Sequence, residues 1–138
     1  MTLLGFTDGA SRGNPGESGI GVVLKDQQGT TVTARGEYIG KATNNVAEYC
    51  ALKHCLSLAG ALGCTRLIVH SDSELMVKQL QGLYRVKDVG LKRHFADVQA
   101  ALKKAPFTFE IRHVDRSQNK EADNLANRAI DLQRTVDF

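Results

Sequence analysis

The stretch FTDGASRGNPG, residues 6–16, decides how this chain is read. An apolar strand pattern, Leu3-Leu4-Gly5-Phe6, runs straight into Asp8. The next eleven residues, Gly9 to Gly19, hold four glycines, one proline and one asparagine, which is loop chemistry. Two explanations compete. Asp8 is a polar residue closing a strand before a turn, or it is a metal ligand beside backbone that must approach something closely, which glycine permits. One aspartate cannot choose between them, so the partners must come from the rest of the chain.

The bulk properties narrow the field. With 138 residues, 42 % of them apolar, the chain suits one domain with a real core, assigned to 1–133 with a short tail at 134–138. The N-terminus lacks a secretory pattern and no apolar run is long enough for a bilayer, so a cytoplasmic protein with no membrane contact is expected. Cys50, Cys55 and Cys64 have neither zinc spacing nor an even count, and are read as free thiols. A net charge of +3 permits a polyanionic partner without requiring one. Nothing suggests more than a monomer.

Working outward, residues 2–8, 19–26 and 31–39 have strand patterns, with Asp26-Gln27-Gln28-Gly29 as a hairpin-type turn. Residues 44–62 turn helical, with Leu52, Cys55, Leu56 and Ala59 on one stripe. Residues 66–70 form a short apolar strand. Helices follow at 73–81 and 91–104, then a strand at 107–113. A last helix spans 119–133, with Ala122, Leu125, Ala126, Ala129 and Ile130 at i, i+3, i+4, i+7, i+8. The order βββαβααβα predicts an α/β fold: a mixed five-stranded sheet, three strands antiparallel and two added in parallel, with helices on both faces.

That topology gathers acids. Asp8 and Asp72 end strands that become parallel neighbours, so both emerge at the carboxyl edge where open sheets place their sites. Glu48 begins the first long helix after Thr43-Asn44-Asn45, and Asp123 lies in the first turns of the last one. Each acid alone is explained as a cap or a dipole-favoured carboxylate. Together, four carboxylates at one edge make a cage of hard oxygen donors suited to Mg²⁺ or Mn²⁺. Two ions about 4 Å apart can clamp the attacking and leaving oxygens of a phosphodiester.

These motifs resemble ribonuclease H of type 1. They are Thr7-Asp8-Gly9 with Gly13-Asn14-Pro15-Gly16, Thr43-Asn44-Asn45 with Glu48, Ser71-Asp72-Ser73, and Asn119 with Ala122-Asp123 and Ala126. The resemblance covers residues 2–133 and implies a ribonuclease H-like fold and endonucleolytic hydrolysis of the RNA strand of RNA/DNA hybrids. The products would carry 5′-phosphate and 3′-hydroxyl ends. It implies that Asp8, Glu48, Asp72 and Asp123 hold two ions. By the same resemblance Asn14, Asn44, Asn45 and Glu74 contact the hybrid's minor groove, where 2′-OH groups distinguish RNA from DNA. Lys41 and Thr43 correspond to a pocket for a DNA-strand phosphate. His113 and Arg116 compete for the role of a loop residue that helps turnover. The segment GLYRVKDVGLKRH, residues 82–94, stands where some members carry a basic, Trp-rich protrusion. The chain is therefore read as a short form, also without a separate hybrid-binding domain before Met1. Double-stranded RNA stays open as a further substrate. An idle binding module and a DNA-directed nuclease on the same fold are the competing readings.

Overall fold

The structure, a computed structural model, describes residues 1–137. Thr2–Arg12 (β1), Gly16–Lys25 (β2) and Thr31–Ala42 (β3) form an antiparallel meander. Asn44–Ala61 (α1) then crosses to Arg66–Ser71 (β4), which lies parallel to β1 on its free side. Glu74–Leu80 (α2) and Val89–Lys104 (α3) lead to Thr108–His113 (β5), parallel to β4. A 3-10 turn at Arg116–Gln118 precedes Lys120–Leu132 (α4), and Val136–Asp137 (β6) closes the order β5-β4-β1-β2-β3-β6.

The two faces of the sheet carry different helices, and the strand period dictates which residues meet which. Leu3, Gly5 and Gly9 alternate onto the α1 face, where Leu52, Cys55, Leu56 and Ala59 are buried with Leu67, Val69 and Val98. On the other face Val23, Ala34 and Phe6 pack against Ala122, Leu125 and Ala129 of α4. All five residues of the stripe expected on the last helix are buried. Gly21 sets how close α4 comes: a Cβ there would lie 1.9 Å from the Ala122 carbonyl oxygen. Gly21 pairs with Asp8 across β1 and β2, so the helix start is pressed onto the sheet beside Asp8.

The structure corrects three expectations. The sheet has six strands, because β6 pairs Val136 and Asp137 with Gly36 and Arg35 of β3. The segment read as a tail is therefore partly built in, and Val136 covers the α4 core; Phe138 lies outside the described residues. Two residues are too few to show any period in a sequence. The supposed eleven-residue loop is mostly strand: β1 continues to Arg12, β2 starts at Gly16, and only residues 13–15 turn. Of its four glycines, Gly9 and Gly19 allow close helix approach while Gly13 and Gly16 make the turn, a division that composition alone does not reveal. Asp8 thus lies inside β1, just past the last β1–β4 pair, Thr7 with Ser71.

Candidate active site

Parallel pairing stops at Thr7, so the Gly9 N–H is free of the ladder and donates to Glu48 Oε1 at 2.9 Å. This bond draws a helix carboxylate onto the strand end that carries Asp8. It needs glycine: a Cβ on Gly9 would lie 2.3 to 2.6 Å from the backbone of Ala47 and Glu48. Thr43 caps α1 by accepting from the Val46 N–H, and Ser73 caps α2 by accepting from the Met76 N–H. Asp72 is therefore not used as a cap, and its carboxylate turns into the cleft. Asn119 stands at the start of α4 but makes no cap bond. It is buried and donates through Nδ2 to the Thr7 carbonyl oxygen at 2.8 Å, tying α4 to β1 next to Asp8.

The result is an acidic cleft lined by Asp8, Glu48, Asp72 and Asp123, with Asn44, Arg116 and Asn127 at its sides and a volume of about 340 Å³. Asp8, Glu48 and Asp72 each offer a carboxylate oxygen within 4.8 Å of the others. Asp123 lines the same cleft from the start of α4, outside that group of three. Burial pushes the Asp8 carboxyl far above the ordinary range, and Glu48, Asp123 and Asp72 push it further. Burial also raises Glu48, with Asp72 adding to it, while the Gly9 N–H and the Arg116 guanidinium pull the other way. Buried carboxylates crowded in this way favour any arrangement that brings in positive charge. All the donors are hard oxygens, which fits Mg²⁺ or Mn²⁺ and not a soft metal.

The other expected residues separate into groups. Asn14 Oδ1 accepts from the Asn44 N–H at 3.0 Å, so the turn and the start of α1 form one exposed ledge beside the acids. Asn45 and Lys41 are exposed on the same stretch. Arg116 Nε lies 3.5 Å from Asp72 Oδ2 at the cleft mouth. His113 lies at the exposed end of β5, and Glu74 pairs with Lys78 at 3.0 Å, which holds its carboxyl below the usual range. Of the two candidates for the loop role, the structure brings Arg116 to the acids. Sequence reading did not single out Gly9, the role of Asn119, or Asn127, which donates to the Asp123 carboxylate. The only signal for Asn127 was its helical spacing of four from Asp123.

A family described as reverse transcriptase-like matches residues 6–129. The chain is 41 % identical to the ribonuclease HI of Halobacterium salinarum over 126 residues, 91 % of this chain and 63 % of that protein. It is 42 % identical over 133 residues to a bifunctional protein of Mycobacterium tuberculosis, covering 95 % of this chain and 36 % of that one. It thus spans less than two thirds of these relatives. The structure of LC11-RNase H1 in complex with an RNA/DNA hybrid aligns with a TM-score of 0.92 at 41 % identity, over 95 % of this chain and 98 % of that chain. Fold and acid cluster therefore define a member of the reverse transcriptase-like class. Within that class the chain belongs to the ribonuclease H type 1 family.

Proposed function

We propose that the protein is an endoribonuclease that hydrolyses the RNA strand of RNA/DNA hybrids with two divalent cations, Mg²⁺ or Mn²⁺. The observation that carries this is the meeting of Asp8, Glu48 and Asp72 oxygens within 4.8 Å in a chain of this family. Those three and Asp123 would hold the ions. When bound, such ions lower the pKa of a water and steady the departing 3′ oxygen. The protein's own work is orientation. The ledge of Asn14, Asn44 and Asn45 sits beside the acids and would read the minor groove, with Glu74 further along. Lys41 and Thr43 would meet a DNA-strand phosphate. Arg116 beside Asp72, in preference to His113, would help the product leave. The same reading takes the protein as a cytoplasmic monomer, in keeping with three free cysteines.

The test is a hybrid labelled on its RNA strand, incubated with Mg²⁺, Mn²⁺ or EDTA, alongside Asp72→Asn. Cleavage that needs metal and is absent in the variant is the expected result. Intact RNA despite binding would favour the idle module, and cleavage of DNA in its place would favour the DNA nuclease. A double-stranded RNA arm decides the further substrate.

Arg85, Lys87, Lys92 and Arg93 are the exposed basic residues on the connection between α2 and α3 and at the start of α3, with the acidic Asp88 exposed among them. Hybrid affinity should therefore rest on few phosphates. With three contacts, a fourfold rise in salt should weaken binding roughly fortyfold. An affinity insensitive to salt would count against this grip.

A further inference from the structure

We propose that Asn127, oriented by Arg12, is a positioning residue for Asp123. This rests on the reading of the four acids as metal ligands. Asp123 is half-buried near the start of α4, and the three other carboxylates crowd it from the sheet side. Repulsion among like charges favours rotamers that swing it out of the cleft. Asn127, one helical turn on, lines the same cleft and donates through Nδ2 to Asp123 Oδ1 at 3.2 Å and to the Asp123 carbonyl oxygen at 3.0 Å.

An amide can present either end to a neighbour, so the orientation of Asn127 needs its own argument. Arg12 supplies it. Its Nη2 lies 3.2 Å from Asn127 Oδ1 and 3.3 Å from the Asn127 carbonyl oxygen, and its Nη1 pairs with Asp131. A guanidinium only donates, so the oxygen of the amide must face Arg12 and the NH₂ must face Asp123. The chain Arg12, Asn127, Asp123 thus runs from the exposed end of β1 to the acid cluster. Its exposed end is a surface ion pair of little value to stability. Its inner end fixes one carboxylate oxygen and leaves the other for a cation. Outer donors of this kind commonly shift metal affinity or activity by about 10- to 100-fold.

The experiment titrates Mn²⁺ into the free protein, by calorimetry or by the rise in melting temperature, for wild type, Asn127→Ala, Asn127→Asp and Arg12→Met. Hybrid cleavage against metal concentration is measured alongside. Asn127→Ala should raise the half-saturating metal concentration about tenfold or more and leave KM for the hybrid unchanged. Its melting temperature in EDTA should hold or rise, because alanine is the better helix former. Asn127→Asp loses the amide donor but adds a negative charge that draws cations, so its metal midpoint should fall between those of Asn127→Ala and wild type. Arg12→Met, which leaves the helix intact, should shift it less in the same direction.

A metal midpoint for Asn127→Ala and Arg12→Met equal to that of wild type overturns the inference. So does a raised KM with an unchanged metal midpoint, which would make Asn127 a substrate contact. If wild-type protein binds metal and the variants weaken it, the inference stands whatever the substrate proves to be. If wild type binds no metal, the inference and the proposed function fail together. If it binds and cleaves while the variants match it, this inference alone fails.

Discussion

Asp8→Asn is expected to abolish hybrid cleavage while making the metal-free protein more stable. A bound cation contributes several kcal/mol to the transition state, and losing about 4 kcal/mol slows a reaction about 10³-fold. The stability effect has the opposite sign because the same carboxylates oppose folding. Asp8 and Glu48 both have folded-state pKa values raised above the unfolded ones, burial being the main cause. Their contribution is complete below the unfolded range near about pH 4 and is lost as pH rises through the folded values. In EDTA the wild-type protein should therefore melt lower at pH 8 than at pH 5.5, and Mg²⁺ or Mn²⁺ should restore the difference. Asp8→Asn removes one of the crowded acids. Its melting temperature in EDTA at pH 8 should exceed that of wild type by about 3–6 °C, the shift that ~1 kcal/mol gives a domain of this size. A variant equally active, or less stable at pH 8 than wild type, would contradict the metal-cage reading.

Gly9→Ala should damage both packing and activity. The added methyl would meet the Ala47 carbonyl carbon at 2.3 Å, the Glu48 nitrogen at 2.4 Å and the Ala47 oxygen at 2.6 Å. These are backbone atoms and cannot rotate aside, so α1 must lift from β1. Overpacking of this kind typically costs about 1–3 kcal/mol or more. The functional loss should exceed the stability loss. Lifting α1 breaks the Gly9–Glu48 hydrogen bond, and a misplacement of about 1 Å at an active site can cost about 10²-fold in rate. Gly60→Ala is the matched control, since its new methyl, in the last turn of α1, would touch only Phe107 at 4.0 Å. It should be neutral or slightly stabilising. Denaturant melts and cleavage rates of both variants decide the point: equal behaviour would mean that close contact of β1 and α1 does not position Glu48.

The order of residues was enough to set the element order, the parallel addition of β4 and β5, and the helical stripes. It did so because periods of two and 3.6 are local properties of the chain, and Ala122 through Ile130 or Leu52 through Ala59 display them directly. It also pointed to four acids, since chain order and crossover handedness send Asp8 and Asp72 to one sheet edge. Other features were decided only by tertiary structure. Composition made Gly9 to Gly19 a loop; in the fold most of it is strand, with helices pressed close at Gly9 and Gly19. Ser73 took the capping role that Asp72 could have filled, and the carboxylate was released to the cleft. Arg116 and not His113 reached the acids because a 3-10 turn aims that segment back over β4. Val136 became a strand through its partner β3, and Asn119 and Asn127 gained their roles from atoms more than a hundred residues away, Thr7 and Arg12. Hydrogen bonds and close contacts of that range leave no period behind. They exist only once the chain has folded and the backbone groups freed at strand ends and helix starts must find partners.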